Sequence, residues 1–254
     1  MRSTITVPIY PITVFVLISA LLTGCGDKRQ SPTSAEIDPP QIEFPIKTPD
    51  SKIDPLTISV PSGQLPVIDG TISPGEWHNA IIEYFNDGSE LLLLQSEGYL
   101  FVGIRAKTPG MIAGNIFIHR SDEIAILHVS AALGTAIYHQ ETEFWQQIKG
   151  FDWCCRAVSL NESAQAERET FFQKEGWTSV NSWVGMPNEL EYQIEAGNEP
   201  LRLAANYIQT SDPNKKIPWP SNLEDDCIKP TPGGLSEQLY FSPDDWVQLN
   251  LSPD

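Results

Sequence analysis

The chain has 254 residues, 41% hydrophobic, 9% aromatic and 19% charged, which is enough apolar content for a packed domain and too much for a disordered chain. Its 33 Asp and Glu against 16 Lys and Arg give a formal net charge of −17, which repels phosphate backbones and argues against a nucleic-acid partner. The 17 Gly and 21 Pro are scattered and no heptad runs through the chain, so collagen-like and coiled-coil architectures are excluded.

Residues 1–24 read as a signal peptide. Arg2 supplies a positive charge, Val14 to Leu22 an apolar core, and small residues precede Cys25. The core is shorter than the ~20 residues a membrane-spanning helix needs, and Pro8 and Pro11 interrupt its start. The closing Leu22-Thr23-Gly24-Cys25 resembles the lipobox of bacterial lipoproteins. That resemblance implies cleavage before Cys25, acylation of Cys25 with chains such as palmitate, and a domain held outside the cytoplasm on a membrane of the cell envelope. Two or more acyl chains suffice for stable attachment, at ~0.8 kcal/mol per buried CH₂. Residues 25–66 then read as the lipidated Cys and a tether, with eight prolines between Gly26 and Pro66. Its later part, Leu56 to Val60, alternates as a strand does and reaches toward the domain edge.

Residues 67–254 read as one β domain. Glu90 to Leu94 and Tyr99 to Ala106 are apolar runs joined by a four-residue loop, Gln95 to Gly98. Further strands follow at Asn115 to His119, Ile124 to Ala131, Ala136 to Gln140 and Trp153 to Val158. Ser163 to Lys174 breaks the period of two and places Ala164, Arg168, Phe171 and Phe172 for a short amphipathic helix. The preceding Ser159 to Glu162 fits a capping box. Glu189 to Glu195 then alternates polar and apolar without a break, and strands follow at Leu201 to Gln209, Glu237 to Phe241, and along Val247, Leu249 and Leu251. This pattern predicts an all-β fold, an antiparallel jelly-roll-like sandwich with a short helical insertion.

Val67-Ile68-Asp69-Gly70, a short turn, and Glu76-Trp77-His78-Asn79-Ala80 resemble the opening of the family-nine carbohydrate-binding modules and related DOMON-type sandwiches. Tyr99 to Ile104, Glu189 to Ile194 and the closing Phe241 to Leu249, with its Pro243 and Trp246, are similar in order to later strands of that family. The resemblance spans Leu65 to Leu251 and implies a β-sandwich with carbohydrate as the ligand class. Physically, Asp69-Gly70 is a turn, and Trp77 and Trp246 are core anchors that bury up to ~250 Å² each.

No nucleophile elbow, phosphate loop, dinucleotide fingerprint, His-Glu-x-x-His or calcium loop occurs, so the chain reads as a binding protein rather than an enzyme. His78, His119, His128 and His139 are dispersed on separate elements, with His119 and His128 reading as satisfied strand histidines; no metal site or cofactor follows from their spacing. Some DOMON-type sandwiches bind haem through a Met and a His. Met111, just before the strand carrying His119, is the corresponding pair to weigh here. Adjacent cysteines on a strand point to opposite faces, so one of Cys154 and Cys155 is expected to bond Cys227 and pin the Pro-rich loop from Lys216 to Gly234, with a redox-active vicinal pair as the alternative. Flat sugar faces stack on aromatic rings, and Trp145, Trp183 and Trp219, beside polar residues or prolines in predicted loops, are the candidate ligand residues. The expected function is non-catalytic carbohydrate binding by a lipid-anchored envelope protein. A haem-binding electron carrier, an envelope protein-interaction module and an enzyme with unrecognised acids stand as alternatives.

Overall fold

Leu91 to Ser96 are all buried, although a strand points alternate side chains to opposite faces. A strand buried on both sides needs a layer above and a layer below, and that requirement shapes this molecule. The computed structural model describes residues 56–182, 188–197, 200–228 and 235–251. Cys25, the signal region, most of the tether and Trp183 lie outside the described residues.

The strands are Thr57–Ser59 (β1), Ile81–Tyr84 (β2), Glu90–Ser96 (β3), Tyr99–Arg105 (β4), Ile112–Arg120 (β5), Glu123–Val129 (β6), Ala132–Gln140 (β7), Trp145–Lys149 (β8) and Cys154–Arg156 (β9). The helix Glu162–Glu175 (α1) follows, then Trp177–Asn181 (β10), Glu189–Glu195 (β11), Leu201–Gln209 (β12), Asp212–Trp219 (β13), Gln238–Leu239 (β14) and Val247–Asn250 (β15). They form two sheets, as the all-β sandwich reading requires. The larger runs β1-β15-β12-β5-β6-β7-β8-β14, with β13 on β12 and β9 on β7. The smaller runs β10-β11-β4-β3-β2. Every pairing is antiparallel except β1 with β15.

Between the sheets lies the main core, from Leu91, Val102, Ile104 and Tyr192 on one side to Ile116, Leu127, Leu203 and Val247 on the other. A second cluster covers the outer face of the large sheet with Trp145, Cys227, Phe241 and Trp246. A third covers the small sheet with Ile72 and Trp77 over Leu92, Leu94 and Phe101. Trp77 and Trp246 are thus buried, as expected of core anchors.

Several boundaries differ from the sequence reading. The β3–β4 loop has two residues rather than four. Glu97 (φ 51) and Gly98 (φ 78) both take the left-handed region, as a tight hairpin turn matching the strand twist requires, so Gln95 and Ser96 remain in the ladder. Helix α1 is capped by Asn161, whose Oδ1 accepts from Ala164 N at 2.8 Å. Ser159 is not the cap; its carbonyl accepts instead from buried Arg168, Nη1 to O 2.6 Å. Leu56 to Val60, read as a strand reaching the domain edge, joins the domain as β1 on β15, and residues 61–63, expected in the tether, follow it through the backbone bonds of Pro61 and Gly63 to Gln95.

Candidate functional site

Asn206 on β12, Asn115 on β5, His128 on β6 and Gly134 on β7 stand opposite one another in a row across the large sheet. The polar side chains of this row form one chain of bonds. Asn206 Nδ2 donates to the Cys227 carbonyl at 2.6 Å, and Asn115 Nδ2 donates to Asn206 Oδ1 at 2.8 Å. Asn115 Oδ1 is then left as the acceptor for His128 Nδ1 at 2.8 Å, which makes the histidine the Nδ1–H tautomer. Burial, reinforced by the nearby Lys216 charge, pushes His128 down to about 4, so the ring is neutral and its Nε2 is an acceptor at ordinary pH.

At the end of the row, Gly134 has no side chain, and two aromatic rings occupy the space. A Cβ there would lie 3.0 Å from Phe151 Cδ1 and 3.0 Å from Trp153 Cε3. Phe151 and Trp153 rest on each other with centroids 4.8 Å apart and planes tilted by 32°. The His128 ring meets Trp153 edge-on at 5.1 Å and Phe151 at 5.6 Å. These contacts orient the indole by packing, an arrangement that costs a ligand little ordering entropy. Yet Trp153 is 55% exposed, whereas Trp145 and Trp219 are 4% and 3% exposed. Among the described residues it is the one tryptophan with a solvent-facing ring.

The candidate ligand residues read from sequence are therefore relocated. Trp145 is a strand residue of the outer core, its Nε1 donating to the Phe241 carbonyl at 3.1 Å. Trp219 closes β13 and packs between the sheets. Both were expected in loops because their neighbours are glutamines and prolines; in the structure Gln146 and Gln147 lie on β8 between β7 and β14, and Pro218 is buried on β13, which pairs only with β12 and so tolerates proline. Trp183 lies outside the described residues. The signal for Trp153 was the Phe151-Asp152-Trp153 run, two aromatics flanking an acid, which the strand assignment concealed.

The expected bridge to Cys227 does not form. Cys154 and Cys155 are bonded to each other, and Cys227 is a buried free thiol, with burial pushing it well above its usual range. Alternation of side chains failed as an argument because Cys155 leaves the extended region, at φ 43, which turns the two sulfurs to one side. The described part of the loop that the bridge was to pin is held by Asp225. Its Oδ1 accepts from Cys227 N at 2.9 Å, and its Oδ2 from Trp246 Nε1 at 2.8 Å and Ser242 N at 3.2 Å.

No family model matches the chain, and no curated protein matches it.

A second buried acid invites a catalytic reading. Glu191 is fully buried, and burial pushes its carboxyl up to about 7 against four N–H donors that favour the ion. Oε2 accepts from Gly70, Asp69 and Thr71 N at 2.7, 3.0 and 3.1 Å, and Oε1 from Trp77 Nε1 at 3.0 Å. Both oxygens are thus spent on closing the 67–80 segment over the small sheet. The residues of the Asp-Gly, Trp and Glu motifs form one structural clasp, closed to substrate.

Met111 and His119 lie eight residues apart along β5 and its entry, about 26 Å at strand rise, too far to hold one iron. The His119 ring is packed edge-on against Trp145 at 5.6 Å. Among the described residues, no group of three or more His, Cys, Asp or Glu is arranged to hold a metal ion, and no helix is long and apolar enough to cross a membrane.

A cleft of about 350 Å³ also opens between α1 and the small sheet, with Val67, Ile68, Phe172 and Val180 against Gln165 and Gln193. It has the apolar floor of a ligand site but no tryptophan. The Trp153 platform is the better-built candidate, combining a fixed aromatic face with the neutral His128 ring beside it.

Proposed function

We propose that this is a non-catalytic carbohydrate-binding protein, held to a bacterial envelope membrane through lipid on Cys25, whose sugar platform is Trp153 with Phe151 and His128. The observation that carries the reading is the 55% exposure of an indole packed against two other rings. A pyranose presents C–H groups on one face and hydroxyls around its rim. The indole suits the first, and the neutral His128 acceptor suits the second, its tautomer fixed by Asn115 and the buried Asn206 behind it. The resemblance to family-nine modules supports the ligand class, and the lipobox supports the anchor.

The test compares two single variants of the full chain. Trp153→Ala removes a central aromatic contact, and such residues contribute ~2 kcal/mol or more to binding, about a 30-fold loss of affinity for a retained polysaccharide. Its melting temperature should stay near that of the wild type. Trp145→Ala should instead lower the melting temperature, because truncating a buried Trp costs ~3–5 kcal/mol. Retention of Trp153→Ala on polysaccharide gels equal to that of the wild type refutes the site, and no retention of the wild type on any gel refutes the ligand class.

A further inference from the structure

Ala132 and Leu133 are adjacent on β7, yet they pair with Arg156 and Cys154, which are two apart on β9. Cys155 is therefore the extra residue of a β-bulge, and it sits at φ 43, a conformation that side chains other than glycine seldom take. The disulfide between Cys154 and Cys155 closes a ring across that bulge and holds it. Trp153 is the next residue along the chain, and it rests over Gly134, the neighbour of Leu133. The bulge thus sets the angle at which the strand delivers the indole to the platform.

A second feature concerns the other redox state. Cys155 Sγ lies 3.4 Å from the Glu167 carbonyl of α1. A disulfide sulfur has no hydrogen to donate, whereas a Cys155 thiol at this place has an acceptor waiting. The fold therefore has a place for the reduced pair as well as for the oxidised one.

We infer that the Cys154–Cys155 disulfide is a redox latch on the Trp153 platform: a dithiol reductant opens it, and the platform then loses its fixed indole. This rests on the reading of Trp153 as the ligand-facing group. In the opening reaction a thiolate of the external dithiol attacks Cys154 Sγ, the Cys154–Cys155 S–S bond breaks, and Cys155 leaves as a thiolate that takes a proton from water. The second thiol of the reductant, as its thiolate, then attacks the mixed disulfide. It closes the reductant's own disulfide and releases Cys154, which is protonated in turn. Two electrons pass from the dithiol to the protein, and two thiols replace one disulfide. Cys155, as a thiol, is then held to α1 by donating to the Glu167 carbonyl, Cys154 is no longer tied to it, and the strand end that carries Trp153 leaves Phe151 and His128.

The experiment reduces the full chain, in detergent, with dithiothreitol and reads three signals. Alkylation with iodoacetamide followed by peptide mapping counts the opened thiols. Fluorescence compared with Trp153→Phe isolates the emission of Trp153. Retention on cellulose, xylan, chitin and peptidoglycan gels reads the platform. The expected result is labelling of Cys154 and Cys155 but not of buried Cys227, a shift of Trp153 emission toward that of a solvated indole, and about a tenfold or greater loss of retention, with a cooperative melt preserved. A Cys154→Ser/Cys155→Ser double variant should show the reduced emission without reductant and no further response to it. Labelling of both cysteines with unchanged Trp153 emission overturns the latch, as does a disulfide that resists reduction until the domain unfolds. A shift in emission in a protein that no gel retains in either state keeps the latch and overturns the carbohydrate reading.

Discussion

Replacing Asp225 by Ala should show that a carboxylate, not a covalent bridge, holds the loop over the outer face of the large sheet. Three N–H groups converge on this side chain, and two of them, Cys227 N and Trp246 Nε1, are buried. A buried donor left without a partner costs ~1–3 kcal/mol, and the part-buried Ser242 N less, so the truncation should cost about 4 kcal/mol in all. For a domain of this size each kcal/mol is worth ~2–4 °C, so the melting temperature should fall by about 8–16 °C. Asp225→Asn keeps one acceptor oxygen for Trp246 and Ser242 and sets an amide N–H against Cys227 N, so about half the loss is expected. Cys227→Ala removes only a sulfur from a packed site and should cost ~1 kcal/mol. Calorimetry on the three variants, with near-ultraviolet dichroism to follow Trp246, decides the matter. An Asp225→Ala protein within ~1 kcal/mol of the wild type, or a Cys227→Ala protein more damaged than it, would refute the reasoning.

Three further outcomes are expected. His128, held down to about 4, loses stability for the fold as pH falls through the window between 6.5 and 4, because the unfolded chain takes up that proton first. Glu191, raised to about 7, acts in the opposite sense, adding stability as pH falls from 7 toward 4.5. The two offset each other in the wild type, so His128→Gln should shift the stability difference between pH 7 and pH 5 by about 2 kcal/mol against pH 7, and Glu191→Gln by a similar amount the other way, in urea titrations at the two pH values. Gly134→Ala puts a Cβ within 3.0 Å of both platform rings and should displace Trp153, changing its emission and weakening gel retention with little change in melting temperature. Metabolic labelling with a palmitate analogue in a bacterial host should mark the wild type and not Cys25→Ala; a mature N-terminus other than a modified Cys25 would end the lipoprotein reading.

Where a strand run is unbroken, sequence and structure agree closely, even for strands buried on both faces. The strands read at Glu189 to Glu195 and Leu201 to Gln209 are β11 and β12 to the residue. Strand β13 was hidden because Asp212-Pro213-Asn214-Lys215-Lys216 has the composition of a turn; it pairs only with β12, and an edge strand accepts what a central one rejects. The platform was hidden for another reason. It depends on a missing side chain at Gly134, a cross-strand row assembled from β12, β5 and β6, and a left-handed Cys155, and none of these leaves a mark in local periodicity. Trp145 misled because its polar neighbours lie on the strand's other positions, and Trp219 because flanking prolines suit an edge strand as well as a loop.

The segment that leads into the domain carries a mechanical consequence. β1 lies parallel to β15, with Gln248 N bonded to the Leu56 carbonyl at 2.8 Å and Val60 N to the Asn250 carbonyl at 3.0 Å. Within the next three residues, Gly63 N reaches the Gln95 carbonyl and Gln95 N the Pro61 carbonyl, both at 3.0 Å, on a strand of the other sheet. A pull on the chain before Leu56, directed along β1, therefore loads these bonds side by side in shear, and passes from one sheet to the other through a single short stretch of backbone. Such a seam resists a sustained tug better than a hairpin peeled open one bond at a time. A recombinant fragment starting at residue 67 would lack it, and its two sheets would lose the suture that ties them at the point where the load enters.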